Sequence, residues 1–451
     1  MCPRSEPKTQ GLALLACLLA CLLGACAVDD APFDRPHAAL ALEAATGHAI
    51  DPEATPREPR IPPGVDPSDG VDEEEAVALA LWNNAEFAAV LARLDVRRAE
   101  LVAAGLLRNP VFSLLFPWGP KQLEFTIGLP LEALLQRPDR VAAATADCRR
   151  SAALLIGTGL DLVRDVRLAA AARTHAARRR QLAAADADER RREADAAAGR
   201  ASSGDASAFD ADAARLAWRD AEREATRAAC ELELADAALR ALVGFADDST
   251  PLAFDDVAVP APPAEDAEVL LAEALAARPD VRAAELALEA AGARAGLARQ
   301  DWLRLSAILD ANGEGSKGFE AGPGLSGELP LFHLGAEAGA VADAELQAAG
   351  HDYVATRRRA AQDVTAARLR LQQAHADWRV LHSEMLPAVV ALHRDTVSAF
   401  ERGDVPLASA LAAERQRLSL EWREADAAYS VQRSMAELER SVGRRITERE
   451  P

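Results

Sequence analysis

The sequence predicts a mainly α-helical protein with a small β-barrel component, built from one unit used twice. Three observations carry that prediction. The chain is rich in Ala, Leu, Arg and Glu, and only 4 % of it is aromatic. That composition suits long helices better than a compact α/β core. Landmarks recur about 200 residues apart. Short segments such as Leu123-Glu124-Phe125-Thr126-Ile127-Gly128-Leu129 alternate apolar with polar or small residues, the period of a strand with two unlike faces.

The first residues form a targeting segment. Arg4 and Lys8 supply a basic start, and Gly11 to Ala25 is almost wholly apolar. A run of about 15 residues is short for a spanning helix, which needs about 20. It ends in Leu23-Gly24-Ala25-Cys26, which looks like a bacterial lipobox. Residues 1–25 then read as a signal peptide and Cys26 as the lipidated first residue. The alternative is an ordinary secretory cleavage site beside a chance cysteine. Asp after such a cysteine commonly retains lipoproteins at the inner membrane. Ala27 stands there instead, implying the outer membrane. Removal of the signal leaves Cys148 and Cys230 with no CxxC or Cys/His spacing. The net charge of −20 argues against nucleic acid as a partner.

Residues 26–70 are rich in Pro and Asp and read as an extended, lipid-anchored tether. A helix is expected from Val71 to about Leu107, with Asp72 as N-cap. Strands follow at Val111–Phe116 and Leu123–Leu129, joined by a turn at Trp118 to Lys121. A very long helix runs from Pro138 to about Arg200. Ser202 to Asp205 break it, and a helix from Ser207 to Val243 ends the first unit, residues 71–244. Residues 245–263 are a Pro/Asp-rich connector. The second unit, residues 264–443, repeats the order. Helices cover 264–277 and 280–302, and a strand runs from Leu303 to Ala311. A Gly-rich turn spans Asn312 to Gly324, and Leu325–Leu329 is the return strand. A long helix runs from Leu334 to Phe400, and the last helix from Leu407 to Val442. Residues 444–451 form a tail.

Three landmarks fix the duplication. Leu129-Pro130-Leu131 returns as Leu329-Pro330-Leu331, 200 residues on. Gly204-Asp205 returns as Gly403-Asp404, and Gly244 as Gly443, each 199 residues on. The long helices would each span about 95–100 Å, so they must pack along one another as in coiled coils. Four short strands would leave open edges, which a membrane does not tolerate. Segments of this length suit a tilted membrane strand. Three chains would supply twelve strands.

At Asn109-Pro110, Gly128-Leu129-Pro130-Leu131, Arg278-Pro279-Asp280-Val281 and Gly322-Pro323-Gly324-Leu325 through Phe332, the chain resembles the TolC-type outer-membrane efflux factors. The resemblance covers about residues 71–445. It implies a trimer with a 12-stranded membrane barrel continued by a periplasmic α-helical tunnel. An equatorial belt would draw on residues 27–70, 245–265 and the C-terminus. The implied function is passive: the exit duct of a tripartite efflux system. Its partners would be a periplasmic adaptor (membrane fusion) protein and a proton-driven inner-membrane transporter. No catalysis and no cofactor are expected. The alternative is a periplasmic coiled-coil lipoprotein with a structural role, which leaves the alternating hairpins unexplained.

A duct needs a wet lumen, a constriction and a docking surface. Glu124, Thr126, Arg304, Ser306, Asp310, Ser326 and Glu328 fall on the polar strand face and are candidates for the lumen, or in part for a solvated rim. The turns at Gly204 and Gly403 are the candidate periplasmic tips, where glycine permits a tight reversal. The resemblance implies that these ends meet the adaptor and narrow the entrance. Asp205, Asp210 and Asp212 cluster at the first tip. At the second, Asp404 follows the glycine. Relatives carry acidic residues six and nine positions beyond this glycine, where this chain has Ser409 and Ala412. An acidic entrance ring and plain N-cap carboxylates are both open readings. The histidines lack an HxxxH pair and read as solvated helix residues. The runs Arg178–Arg180 and Arg190–Arg192 read as a solvated face. Cys148 and Cys230 lie about 84 Å and about 39 Å from the first turn along their helices, so no disulfide between them is expected.

Overall fold

The computed structural model describes residues 28, 30, 35–51, 59–118, 123–246, 250–300, 302, 304–313, 318–328 and 335–446. Cys26, the signal segment, Leu329–Phe332, His333 and most of the tail lie outside the described residues. The chain divides into two compact units. One comprises Met1–Ala38, Leu91–Leu155 and Pro279–Arg357; the other comprises Ala39–Val90, Ile156–Arg278 and Arg358–Pro451.

The elements follow the duplicated order. Helices α1 (Arg35–Thr46), α2 (Glu73–Asn83) and α3 (Ala85–Gly105) precede strands β1 (Val111–Leu115) and β2 (Leu123–Pro130). A single turn, α4 (Glu132–Leu135), leads to α5 (Arg137–Ser202) and α6 (Ala208–Leu242). The second half has α7 (Ala267–Ala277), α8 (Pro279–Ala298), β3 (Leu305–Gly313), β4 (Phe319–Gly327) and α9 (Ala336–Arg379). A π-helical stretch, Val380–Met385, joins α9 to α10 (Leu386–Glu401), and α11 (Leu407–Val442) follows. The 66 residues of α5 amount to about 100 Å of helix. Pro138 sits in its first turn, where the missing N–H costs nothing.

Three expectations are corrected. Residues 26–70 are not wholly an extended tether, because 35–46 form a helix. Between Pro36 and Pro52 the segment His37–Thr46 is an Ala/Leu run. It buries Leu42 fully against α5, over Gly159, where a Cβ would lie 2.4 Å from Leu42 Cδ1. The helix expected from Val71 to Leu107 breaks at Asn84, whose extended backbone (ψ 118°) closes α2. Its Oδ1 then accepts from Phe87 N at 3.0 Å and caps α3. The Gly-rich turn expected over 312–324 is shorter, since β3 runs to Gly313 and β4 starts at Phe319. Glycine there answers a packing need: a Cβ on Gly324 would meet Ile308 Cγ1 at 3.0 Å. Asp72 does cap α2, in a reciprocal capping box with Glu75.

The sheet unit holds a four-stranded antiparallel sheet in the order β1-β2-β3-β4. Among the described residues, both outer strands leave one edge without a partner. Beside it, Ala153 of α5 packs with Ala283 and Leu286 of α8. Small residues let these backbones approach closely.

The helical unit is centred on α7, α9 and α11. Leu270, Ala274, Val364, Leu371, Val431 and Leu438 form its main cluster. Arg278, 5 % exposed, closes α7 from inside that cluster. Its Nη1 donates to Ser441 O at 3.1 Å, and its Nη2 to Asp363 Oδ2 at 3.2 Å. One guanidinium thus ties three helices together. Replacing it leaves a buried carbonyl without its donor. Arg278→Ala is expected to cost about 2–3 kcal/mol, read as a lower thermal midpoint of the detergent-solubilised protein.

Candidate functional site: the two-faced sheet, the helix turns and the belt

Register fixes which side chains share a face, because side chains alternate along each strand. Thr126 opposes Ser113 and Asp310, Glu124 opposes Asn312, and Ser306 opposes both Pro130 and Ser326. Glu124, Thr126, Ser306, Asp310 and Ser326 therefore lie on one face, as the alternation predicts. Thr126 Oγ1 donates to Asp310 Oδ1 at 2.9 Å, and Asn312 Nδ2 to Asp310 Oδ2 at 2.9 Å. Arg304 and Glu328 sit just outside β3 and β4. Glu328 N donates to Arg304 O at 3.2 Å, and the side chains approach to 3.6 Å. Asn312 and Glu320 join this face and were missed. Reading the Gly-rich stretch as strand rather than turn would have found them.

The other face carries Phe112, Leu114, Phe125, Ile127, Leu129, Leu309 and Leu325. Several are bare: Phe112 is 61 % exposed and Leu325 69 %. Phe116 and Trp118 are exposed beyond one end of β1, and Trp302 near the opposite end of the sheet. Among the described residues no helix is long and apolar enough to cross a membrane.

The two helix turns are built alike. Gly204 (φ 80°) and Gly403 (φ 82°) take the left-handed conformation. Asp205 N donates to Arg200 O, and Asp404 N to Ala399 O, each at 2.9 Å. The same C-terminal capping motif thus ends α5 and α10. Their carboxylates have local partners. Asp210 caps with Ser207 at 2.8 Å, Asp212 pairs with Arg215 at 2.9 Å, and Asp404 with Arg402 at 2.9 Å. Ser409 N donates to Pro406 O at 3.0 Å in the turn that starts α11, and Ala412 is exposed on that helix.

Three histidines pair with carboxylates of α11. His175 meets Asp426 at 2.7 Å, His382 meets Glu424 at 2.9 Å, and His393 meets Glu414 at 2.8 Å. Among the described residues no group of three or more His, Cys, Asp or Glu is placed to hold a metal ion. The run Arg178–Arg180 is not simply a solvated face. Arg179 lies over the Trp422 ring at 4.9 Å, and Arg178 pairs with Glu421 at 3.3 Å. Trp422 and Glu421 project from α11 toward them, which the run alone cannot show. Cys148 and Cys230 are both free.

Segments remote in sequence meet in the helical unit, drawn from the stretches expected to form a belt. Val71 N donates to Ala253 O at 2.8 Å, and Asp255 N to Val71 O at 3.0 Å. Glu74 accepts from His48 at 2.8 Å, Arg167 at 3.0 Å and Arg445 at 3.1 Å. Arg167 also pairs with Glu439. Burial opposes the charge on Glu74, but the His48 hydrogen bond and the two guanidiniums outweigh it. They hold the carboxyl at about 2, against an ordinary 4.5.

The outer membrane efflux protein family model matches residues 270–444. Solved structures extend the likeness along the chain. The outer membrane protein VceC of Vibrio cholerae is 17 % identical, with a TM-score of 0.67 over 83 % of this chain and 96 % of its own. The open-state MtrE outer membrane channel of Neisseria gonorrhoeae is 19 % identical, with a TM-score of 0.64 over 82 % and 89 %. The Campylobacter jejuni CmeC outer membrane channel is 14 % identical, with a TM-score of 0.67 over 88 % and 92 %. No curated protein sequence matches. The fold is that of these outer membrane channel structures.

The sign of the pH effect at Glu74 follows from its lowered value. Its stabilisation is complete above about 4.5 and is lost as pH falls toward 2. Acid titration of the circular dichroism signal should show this loss. Glu74→Gln should be less stable at neutral pH and flatter through that window.

Proposed function

We propose that the protein is the lipid-anchored exit duct of a tripartite efflux system, assembled as a homotrimer. The observation that carries this reading is the sheet. It has one polar face, one apolar face and two open edges. Closing β4 of one copy onto β1 of the next satisfies both edges and makes a barrel of twelve strands. The apolar face would then meet lipid and the polar face water. Phe116 and Trp118 at one end, with Trp302 at the other, suit the two membrane interfaces. Glu124, Thr126, Ser306, Asp310 and Ser326 would line the lumen.

The long helices would form the periplasmic tunnel by packing along those of neighbouring copies. The turns at Gly204 and Gly403 would be its far end, meeting a periplasmic adaptor. A proton-driven inner-membrane transporter would supply the energy. Lipidation at Cys26 would anchor the chain in the outer membrane. A coiled-coil lipoprotein without a barrel gives the apolar sheet face no occupant.

Closure has a direct test. Within one chain β1 and β4 are three strand spacings apart, about 14 Å, beyond the about 7 Å that a disulfide spans. A chain carrying Ser113→Cys and Gly322→Cys, where an added side chain meets open space, with Cys148 and Cys230 replaced by Ser, can be oxidised only between copies. Disulfide-linked trimers on a denaturing gel are expected, and monomers alone would refute closure. For the anchor, Cys26→Ser should abolish labelling by fatty acid; unchanged labelling would sink that assignment.

A further inference from the structure

The four strands end, on the helix side, in four charged residues. In sheet order these are Arg108 ahead of β1, Glu132 behind β2, Arg304 ahead of β3 and Glu328 behind β4. All four line one cavity of about 430 Å³ together with Ser306 and Ser326. Both serines belong to the polar face, so the cavity opens on that side of the sheet.

Two further arginines adjoin it at the start of α5. Arg137 Nε donates to Gly105 O at 2.8 Å. Arg140 Nη2 donates to Leu106 O and Ala133 O, each at 3.3 Å. These acceptors are main-chain carbonyls, which bring no negative charge. Among the described residues the one ion pair in the group is the loose contact of Arg304 with Glu328 at 3.6 Å. The carboxylate of Asp139 accepts from Gln300 Nε2, just past the end of α8, at 2.9 Å. Two buried polar atoms, Arg140 Nε and Glu132 Oε2, have no hydrogen-bond partner. Burial, and then the neighbouring Arg108 and Arg137, hold the Arg140 guanidinium below its ordinary value.

Arg108 and Arg304 thus line the cavity with Glu132 and Glu328, and Arg137 and Arg140 add two further positive charges close to Arg108, in a chain whose net charge is −20. Gathered like charge is costly unless an opposite charge joins it. Guanidinium forks match the paired oxygens of a carboxylate or phosphate and bind them with short, charge-assisted hydrogen bonds. Opening on the polar face favours a soluble anion over a lipid headgroup, although the two share this chemistry.

We propose that Arg108, Arg137, Arg140 and Arg304 form an oxyanion-binding collar that gives the duct a preference for anionic cargo. The binding site stands on this cluster alone. The preference for cargo rests also on the duct reading, in which the polar face lines the lumen.

The experiment uses the full-length protein, with inorganic phosphate as the probe. A phosphorus NMR titration in neutral detergent should show saturable binding. Arg108→Gln with Arg140→Gln should weaken it at least tenfold, and Arg140→Lys should keep most of it. Circular dichroism and heat-resistant oligomers on a gel confirm that each variant folds. In planar bilayers under a KCl gradient, the double variant should lower the chloride-to-potassium permeability ratio several-fold. Absence of phosphate binding, or binding that the double variant leaves unchanged, overturns the collar. An arginine-dependent response to phosphatidylglycerol nanodiscs without one to phosphate makes the ligand a headgroup and overturns the cargo preference. Phosphate binding by a protein that never conducts sinks the duct reading and upholds the oxyanion site.

Discussion

Backbone N–H and C=O groups in a sheet need partners, and among the described residues the outer edges of β1 and β4 have none. That demand would be slight in water, where solvent satisfies an edge. It becomes severe when one face of the sheet is apolar, because the surroundings which suit Phe112 and Leu325 are those in which an open edge is least tolerated. Covering the face and completing the edges are one problem. Addition of further strands solves both, and four strands are too few to do so by curling on themselves. Much of the remaining design serves to hold two hairpins side by side. The β2–β3 ladder joins the two halves of the duplicated chain, so neither repeat can form the sheet alone.

The helical unit meets a different constraint. Its helices are alanine-rich and bury little apolar surface per residue, so polar ties supply specificity. Arg278 fastens α7, α9 and α11 from inside the core. Arg167 joins Glu74 to Glu439 across residues far apart in sequence. The histidine–carboxylate pairs fix α11 against its neighbours, and Arg179 stacks on Trp422. These contacts set which helix faces meet, which an alanine surface alone leaves underdetermined. Duplication shows here as physics as well as sequence: α5 and α10 end in the same glycine-capped turn, with the same donors and acceptors.

Much of this was legible in the sequence. Period-two alternation located β2 and the polar face, since each odd position was apolar. Asp72, Gly204, Gly403 and Gly443 marked helix boundaries because capping chemistry is local. What stayed hidden depends on partners remote in sequence. Helix α1 was masked by the prolines around it, and its reason for folding is the notch over Gly159. The early start of β4 was masked by glycines, which read as a turn until Ile308 is seen to need their space. The break at Asn84 uses a residue that suits a loop or a cap equally well. The charged residues at the strand ends carry no motif. Only sheet order brings Arg108 and Arg304 to one cavity.

The unsatisfied edges have a genetic consequence. In the proposed ring every copy presents one edge to each neighbour, so a subunit with a spoiled β1 still offers a sound β4 and can be incorporated. It then leaves a gap that its two healthy partners cannot close. If half the subunits in a cell carried such a defect and mixed at random, only about one assembly in eight would be intact. Edge-strand alleles should therefore be dominant over the normal copy. Alleles that prevent the hairpin from forming at all should be recessive, because a chain that cannot join the ring cannot spoil it.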